Sequence, residues 1–201
     1  MRIGIDGRYI HDHFPGIGRY TYNLILALAD ILADERLVVV HNPRLPNTRY
    51  DLAAFGALPA IEMVETDAPV FSLAEQQALP RLARRLAIDL WHAPYYIAPY
   101  RLPCPMIVTI HDAISSRYPQ YLPSLAARAS YELTMRLALR SAAHIIADSQ
   151  ASADDLVHFF GISPSRISII HPAADPRYRP QPAPAVAETR TRLGLPENYA
   201  L

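Results

Sequence analysis

The residues of this chain with the clearest chemical potential are two glycines that separate an apolar strand pattern from a helical one. Arg2–Asp6 is typical of a buried strand, Pro15-Gly16-Ile17-Gly18 reads as a turn, and helical periodicity runs from Arg19 to Leu28. Glycine lacks a Cβ, so a backbone can approach a ligand closely, and the free N–H groups that begin a helix favour an anion. The turn therefore predicts a phosphate site, to which Arg19 either adds a charge-assisted contact or stays an exposed first-turn side chain.

The turn departs from the fingerprint of dinucleotide-binding proteins in two places. Thr21 stands where that fingerprint has its third glycine, and the second predicted strand ends in His41-Asn42-Pro43, where an acidic residue would hold a ribose. A nicotinamide-dependent oxidoreductase is therefore a weak alternative. A glycine pair that serves only to pack the helix against the strand is a second alternative.

Polar residues follow nearly every predicted strand. Apolar runs alternate with helical patterns, with strands expected at 2–6, 37–41, 61–64, 88–92, 106–111, 144–147 and 166–171. This alternation predicts an α/β fold, a Rossmann-like parallel sheet with helices on both faces. Ligands bind at the carboxyl ends of such strands. The residues that predict a polar cleft there are Asp6, His41, His92, His111-Asp112, Asp148-Ser149 and His171.

The overall composition excludes several classes of protein. The chain has 201 residues, 51% of them hydrophobic, and a formal net charge of zero, which predicts a globular core and no nucleic-acid partner. All 19 basic residues are arginine, which excludes a lysine nucleophile, and Cys104 is the single cysteine, which excludes an intrachain disulfide. The sequence shows neither a signal peptide nor an apolar run of about 18 residues, which predicts a cytoplasmic protein.

Proline-rich sequence after Pro172 predicts a change of domain. We expect an N-terminal domain over residues 1–178, a stiff linker over 179–191 and the start of a second domain over 192–201. The last residues, from Gly194, read as a turn that leads into a new strand. The sequence therefore predicts the first half of a two-domain protein.

Six segments, in their order along the chain, resemble the N-terminal half of family 4, GT-B type retaining glycosyltransferases. They are GIGRYT (16–21), LWHAPYYIAP (90–99), VTIHDAI (108–114), HIIADSQASADDL (144–156), RISIIHPAADPRYRP (166–180) and RLGLPENYAL (192–201). The mannosyltransferase-like members, also called group 1, are the most similar. The resemblance implies two Rossmann-like domains across a cleft, the first binding the acceptor and the second the nucleotide sugar. It implies transfer of a sugar, with mannose as one option, to a glycan or lipid-linked acceptor with retention.

The resemblance also assigns roles to individual residues. Gly16-Ile17-Gly18-Arg19 would form the loop beside the donor diphosphate and the acceptor, and His111 would lie beside the transferred sugar as the catalytic residue. Asp112, also placed in the catalytic pair, either orients His111 or caps the following turn. From their residue types alone, His92 and Tyr95 could present rings and a hydroxyl to a sugar acceptor, with core packing as the alternative. Ser149 either caps a helix or contacts the acceptor as well.

Cofactors and partners follow from the same reasoning. His11-Asp12-His13 lacks the residues that would complete a ligand set, and no D-x-D motif occurs, so neither a metal nor another cofactor is expected. The family's nucleotide-sugar residues belong to the second domain, so this chain alone is expected to be inactive. Its partners would be a nucleotide sugar, a glycan or lipid-linked acceptor, and its own C-terminal domain.

Two interpretations of the surface and of the whole chain stay open. Arg81, Arg84 and Arg85 lie in a basic amphipathic segment, which indicates either a plain surface helix or a peripheral contact with the inner membrane face. A non-catalytic carbohydrate-binding or regulatory Rossmann-like module is the alternative to an enzyme.

Overall fold

The computed structural model describes residues 1–175, 178–196 and 198, and the chain divides into two compact units, Met1–His171 and Pro172–Leu201. The described strands of the first unit are β1 (Arg2–Asp6), β2 (Arg36–His41), β3 (Ile61–Glu65), β4 (Leu90–Ala93), β5 (Met106–Ile110), β6 (His144–Ala147) and β7 (Ile167–Ile169). Its α-helices are α1 (Pro15–Ile31), α2 (Ala53–Gly56), α3 (Glu75–Arg85), α4 (Ile114–Arg117), α5 (Leu125–Ser141) and α6 (Gln150–Phe160).

These strands run parallel in one sheet, in the order β3-β2-β1-β4-β5-β6-β7. The chain passes from β1 to β2 and β3 on one side, and then crosses back to β4 and the later strands on the other. Where strand order reverses in this way, a crevice opens at the carboxyl ends of the strands, here between β1 and β4. The predicted α/β, Rossmann-like class is confirmed.

Helices cover both faces of the sheet, and strand β2 shows why. Successive side chains of a strand point to opposite faces. Leu37 belongs to one buried cluster with Ile25 of α1, and its neighbour Val38 belongs to another with Leu79 of α3. All four side chains are fully buried, and each contributes about 1.5–3 kcal/mol of hydrophobic stabilisation. The unbroken apolar run of β2 is therefore what two helical layers require.

A buried ion network joins the end of β1 to the start of α3. The Arg8 guanidinium donates to Asp6 Oδ2 at 2.7 Å, to Glu75 Oε2 at 2.8 Å and to the Ala68 carbonyl oxygen at 3.1 Å. Burial lowers the pKa of Arg8, but the two facing carboxylates outweigh that effect and hold the pKa above its ordinary value. Asp6 is fully enclosed in this network. The prediction that Asp6 lines a polar cleft is therefore wrong.

Some predicted elements have different bounds. Ser124 Oγ accepts the Ala127 N–H at 3.1 Å and caps α5, so this helix begins at Leu125. A 3₁₀ turn over Pro164–Arg166 shortens β7 to three residues. Helix α3 contains Pro80 and continues beyond it to Arg85.

The second unit contains helix α7 (Ala183–Leu193), which begins after Pro182 and ends at Gly194 in the left-handed region, with φ of 64°. The helix overlaps the segment predicted as a linker, and the predicted domain boundaries stay a prediction. The strand expected after Gly194 involves Glu197 and 199–201, which lie outside the described residues. In the described part of the chain, no helix combines the length and the hydropathy needed to cross a bilayer.

Candidate functional site

His111, the residue that follows β5, is held by a partner on each ring nitrogen. Its Nδ1 lies 2.6 Å from Asp148 Oδ2, and its Nε2 lies 3.0 Å from the carbonyl oxygen of Pro94. The carboxylate and the carbonyl oxygen are both acceptors, so an N–H on either ring nitrogen meets an acceptor and the ring orientation is defined from two sides. The side chains of His111 and Asp148 are each 19% exposed, which leaves a path for a ligand.

Asp148 was missed as a site residue, although the sequence pattern placed it at a strand end. Strands β5 and β6 pair with Ile110 opposite Ala147. In a parallel pair, the residues that follow a paired position on both strands are also neighbours, which brings His111 beside Asp148. The register of these two strands is therefore the signal that would have found the pair.

Thr109 connects three elements beneath His111. Its hydroxyl lies 2.8 Å from His92 Nε2 at the end of β4, and 3.2 Å from the hydroxyl of Tyr20 on α1. The Tyr20 ring also meets the His111 ring edge to face, with centroids 5.0 Å apart. We call His111, Asp148, Thr109 and Tyr20 the His111 corner. It joins the start of α1 to the ends of β5 and β6.

His92 lies inside the protein and not on the cleft surface. It is 6% exposed, and burial together with the neighbouring His111 lowers its pKa to about 4. A neutral ring is therefore the stable form near pH 7. The structure gives His92 a supporting position behind Thr109, and direct contact with an acceptor stays a prediction.

Asp112 does not contact the His111 ring. Its Oδ1 accepts the Ile114 N–H at 3.0 Å, which is the capping alternative that the sequence left open. The orienting carboxylate is that of Asp148 instead. On the other side, Ser152 Oγ donates to the His111 carbonyl oxygen at 2.8 Å, which fixes the backbone of the same residue.

The two glycines of the predicted turn differ in their surroundings. Both lie in the first turn of α1, which begins at Pro15, and not in a loop before it. A Cβ on Gly18 would stand 2.8 Å from the backbone oxygen of Tyr9, so Gly18 is required for packing. A Cβ on Gly16 would meet no described atom within 4 Å. The packing alternative is therefore correct for Gly18, and Gly16 leaves space for a ligand.

The start of α1 offers unpaired donors beside that space. Phe14 at the N-cap position makes no side-chain capping hydrogen bond, and Gly18 N–H already bonds the Phe14 carbonyl oxygen at 2.7 Å. The N–H groups of Gly16 and Ile17 have no partner within an α-helix at these positions. Arg19 is exposed, and its side chain makes no ion pair in the described part of the chain.

Tyr95 belongs to a group of aromatic side chains near the start of α1. Its ring lies 5.6 Å from that of Tyr9 and 6.3 Å from that of Phe14. Phe71, which stacks on Phe14 at 6.1 Å, adopts a left-handed backbone conformation with φ of 59°. Burial raises the pKa of Tyr95, so its hydroxyl stays protonated and can donate.

Ser149 caps helix α6. Its Oγ accepts the Ser152 N–H at 3.1 Å, which is the helix-capping alternative given for this residue. The same hydroxyl lies 3.0 Å from Ser152 Oγ, whose contact with His111 links the cap to the His111 corner. Acceptor contact by Ser149 stays a prediction.

Of the two remaining strand-end histidines, His171 contacts the backbone of the His111 corner and His41 lies away from it. His171 Nδ1 bonds the Asp148 carbonyl oxygen at 2.9 Å, and His41 ends β2 at the other side of the sheet. Among the described residues, no group of three or more His, Cys, Asp or Glu side chains is arranged to hold a metal. His11 and His13 stack at 6.2 Å without further ligands there.

Comparisons with known proteins identify the family and the fold of this chain. The sequence profile of the family described as Glycosyltransferase Family 4 matches residues 15–178. Among curated proteins, no match was found. The Anabaena protein Alr3699/HepE, solved in complex with UDP, has a TM-score of 0.59 and 20% identity over 96% of this chain and 50% of that chain.

Two further solved structures have the same fold. The lipopolysaccharide outer core galactosyltransferase WaaB, in its apo form, gives a TM-score of 0.54 at 12% identity, over 87% of this chain and 46% of that one. The wall teichoic acid polymerase TagF gives a TM-score of 0.51 at 15% identity, over 98% of this chain and 45% of that one. This chain thus spans about half the length of the structures that it matches. The chain belongs to glycosyltransferase family 4 and has the fold of the N-terminal domain of GT-B enzymes.

Proposed function

We propose that this chain is the acceptor-side half of a retaining glycosyltransferase that moves a sugar from a nucleotide sugar to a glycan or lipid-linked acceptor. The observation that carries the proposal is the contact of Tyr20 with both Thr109 and His111, which unites the start of α1 and the end of β5 in one site. Mannose is one option for the sugar. The UDP bound to the similar Anabaena structure supports a nucleotide-sugar donor.

His111 is the residue proposed to act on the sugar. Its Nε2 can exchange the Pro94 carbonyl oxygen for a sugar hydroxyl, while Asp148 keeps the ring in place. Asp148 Oδ1 is buried and has no hydrogen-bond partner among the described residues, so it can accept from a ligand hydroxyl. Such fixed, water-poor polar groups stabilise developing charge without a reorganisation cost during the reaction.

The start of α1 is proposed to face the donor diphosphate. A helix N-terminus carries about half a positive charge, and the N–H groups of Gly16 and Ile17 can donate to phosphate oxygens. Gly16 has open space at its Cβ position, so the backbone can approach the ligand closely. Exposed Arg19 would add a charge-assisted contact. We propose that this site works without a metal or another cofactor.

Two measurements test this proposal. The enzyme that includes the nucleotide-binding half should release nucleotide from a nucleotide sugar only with an acceptor present, and product NMR should show the donor's anomeric configuration. Residues 1–201 alone should be inactive and show no saturable heat in a calorimetric titration with nucleotide sugars. Tight binding by residues 1–201 would contradict the division of roles.

We also propose that the protein works in the cytoplasm and makes a peripheral contact with the inner membrane face. Phe71 and Leu73, in the segment before α3, are 55% and 87% exposed, and Arg84 follows on the helix. Apolar side chains beside a basic helix suit an anionic lipid surface. Cosedimentation with anionic vesicles should fall in Phe71→Ser/Leu73→Ser, and an unchanged value would refute the contact.

A further inference from the structure

A cavity lies away from the His111 corner, at the ends of β2 and β3. Its volume is about 440 Å³, and its walls come from the residues after these strands and from one side of α3. Strands β1 and β4 separate these strands from β5 and β6 in the sheet. Its size falls in the range of about 300–1,000 Å³ that is usual for small-molecule sites. We call it the arginine cavity because Arg44, Arg81 and Arg85 line it.

Among the described residues, no carboxylate forms an ion pair with any of the three guanidinium groups of the arginine cavity. Arg81 makes only a long contact of 3.5 Å with Gln77 Oε1, and no ion pair forms at Arg44 or Arg85 within residues 1–175. Arg81 and Arg85 lie one turn apart on α3, so they repel each other by a few tenths of a kcal/mol. Arg44 comes from the other wall. An anion between the walls would remove this repulsion.

Two carboxylates line the same cavity without pairing to the arginines. Glu65 ends β3 and Asp67 follows it, and neither forms an ion pair among the residues that the structure describes. The positive and negative groups are thus kept apart around a space, with Leu82 of α3 among the apolar residues of the wall. Such an arrangement fits a ligand with an anionic group at one end and hydroxyl groups, which carboxylates accept from, near it.

Arginine geometry selects the anion. A guanidinium presents two parallel N–H groups, which match two oxygens of one phosphate. The backbone N–H of Arg44 donates to Asn42 Oδ1 at 3.0 Å, which holds the turn after β2 in place. The Thr66 N–H likewise donates to the His41 carbonyl oxygen at 2.9 Å, which joins the β2 and β3 ends. The cavity walls are therefore set before a ligand arrives.

We propose that the arginine cavity binds a phosphate group of a second ligand, distinct from the donor diphosphate near α1. Arg81 and Arg85 hold the phosphate from α3 and Arg44 from the β2 side. The ligand is either a free phosphorylated compound or a phosphorylated lipid headgroup. This proposal depends only on the residues that line the arginine cavity, and it is independent of whether the chain takes part in glycosyl transfer.

The test compares Arg81→Gln/Arg85→Gln with a control of equal charge change, Arg101→Gln/Arg140→Gln. Arg101 lies before β5 and Arg140 lies on α5, and both are exposed and outside the cavity lining. One arm titrates inorganic phosphate by calorimetry. The other measures cosedimentation with phosphatidylcholine vesicles, with and without phosphatidic acid. Urea unfolding checks that every variant is folded.

We expect saturable binding by the unmodified chain that weakens at least about tenfold in Arg81→Gln/Arg85→Gln, since charged hydrogen bonds are lost. The control should stay within about twofold by the same reasoning. A loss in the phosphate arm of Arg81→Gln/Arg85→Gln identifies a free phosphorylated ligand, and a loss in its vesicle arm alone identifies a lipid headgroup, because these substitutions leave Phe71 and Leu73 unchanged. Equal loss in both double variants, or no binding of either probe, would overturn the site.

Discussion

The His111 corner and the arginine cavity lie at the carboxyl ends of the same sheet, yet their polar groups are arranged in opposite ways. At the His111 corner, the ring of His111 is already bonded to Asp148 and to a backbone carbonyl. Around the arginine cavity, no ion pair neutralises Arg44 or Arg85 in the described residues. The polar groups of the His111 corner are therefore positioned by partners within the fold, whereas the arginines of the cavity have no ion-pair partner among the described residues.

The difference indicates two kinds of task. Groups held by partners on rigid strands keep the geometry that bond making requires. Charges without partners cost little while solvated and gain most when an anion arrives. We therefore assign the chemistry to the His111 corner and phosphate binding to the arginine cavity.

Removing the carboxylate of the His111 corner should have the largest effect. Asp148→Asn leaves no negative charge to orient the His111 ring, and we expect kcat to fall by about 10²–10⁴-fold, as for loss of a positioned acid–base pair. Asp112→Asn is the matched control, because Asp112 bonds only a turn N–H near the same ring. Steady-state kinetics and circular dichroism of the two-domain enzyme give the comparison. Equal losses of kcat in both variants would contradict the assignment of Asp148, and not Asp112, as the carboxylate that orients His111.

The partner of His111 marks where sequence reasoning stopped. Val108 and Ile110 in an apolar run followed by His111-Asp112 were enough to predict β5 and its polar end. Asp148 lies 37 residues later, and only the register of β5 against β6 brings it to the ring. Sheet order and register are long-range properties, so the adjacent Asp112 was the natural but incorrect candidate for the orienting carboxylate.

Acid should weaken the fold through His92, which supports the His111 corner from below. Its folded-state pKa is lowered to about 4, so between that value and its ordinary 6.5 the unfolded chain binds more protons than the folded one. Stability is therefore complete above pH 6.5 and declines as pH falls, by on the order of 2 kcal/mol between pH 7 and pH 5.

His92→Gln isolates this contribution to acid sensitivity. Glutamine keeps a hydrogen-bonding group near Thr109 but does not titrate, and His11 and His41, whose pKa values are also lowered, remain in both proteins. Urea unfolding at pH 7 and pH 5 should show a smaller difference in the variant. An identical pH dependence would mean that His92 is not enclosed as described.

The two glycines at the start of α1 should separate stability from activity. Gly18→Ala places a Cβ 2.8 Å from the Tyr9 backbone oxygen and 3.3 Å from Tyr50, and we expect a loss of about 1–3 kcal/mol from overpacking. Gly16→Ala should leave the unfolding free energy unchanged or raise it by up to about 1 kcal/mol, while turnover falls. Urea unfolding and donor kinetics measure both. Full turnover in Gly16→Ala would show that no ligand approaches the backbone closely at this position.

These positions also show what a motif can and cannot predict. The glycine pattern indicated a helix start, although the helix begins at Pro15, inside the segment predicted as a turn. It could not distinguish Gly16 from Gly18, because the Tyr9 and Tyr50 atoms that enclose Gly18 come from other segments. Arg8 is a similar case, since its burial depends on Glu75, 67 residues away.

The most direct measurement of the central claim compares His111→Ala with His158→Ala in the enzyme that contains both halves. His158 is an exposed histidine of α6 and serves as the matched control. We predict that turnover of a nucleotide sugar with acceptor falls at least about 100-fold in His111→Ala. His158→Ala should keep turnover near that of the unmodified enzyme, with both variants folded by circular dichroism. Turnover near the unmodified value in a folded His111→Ala enzyme would contradict the account.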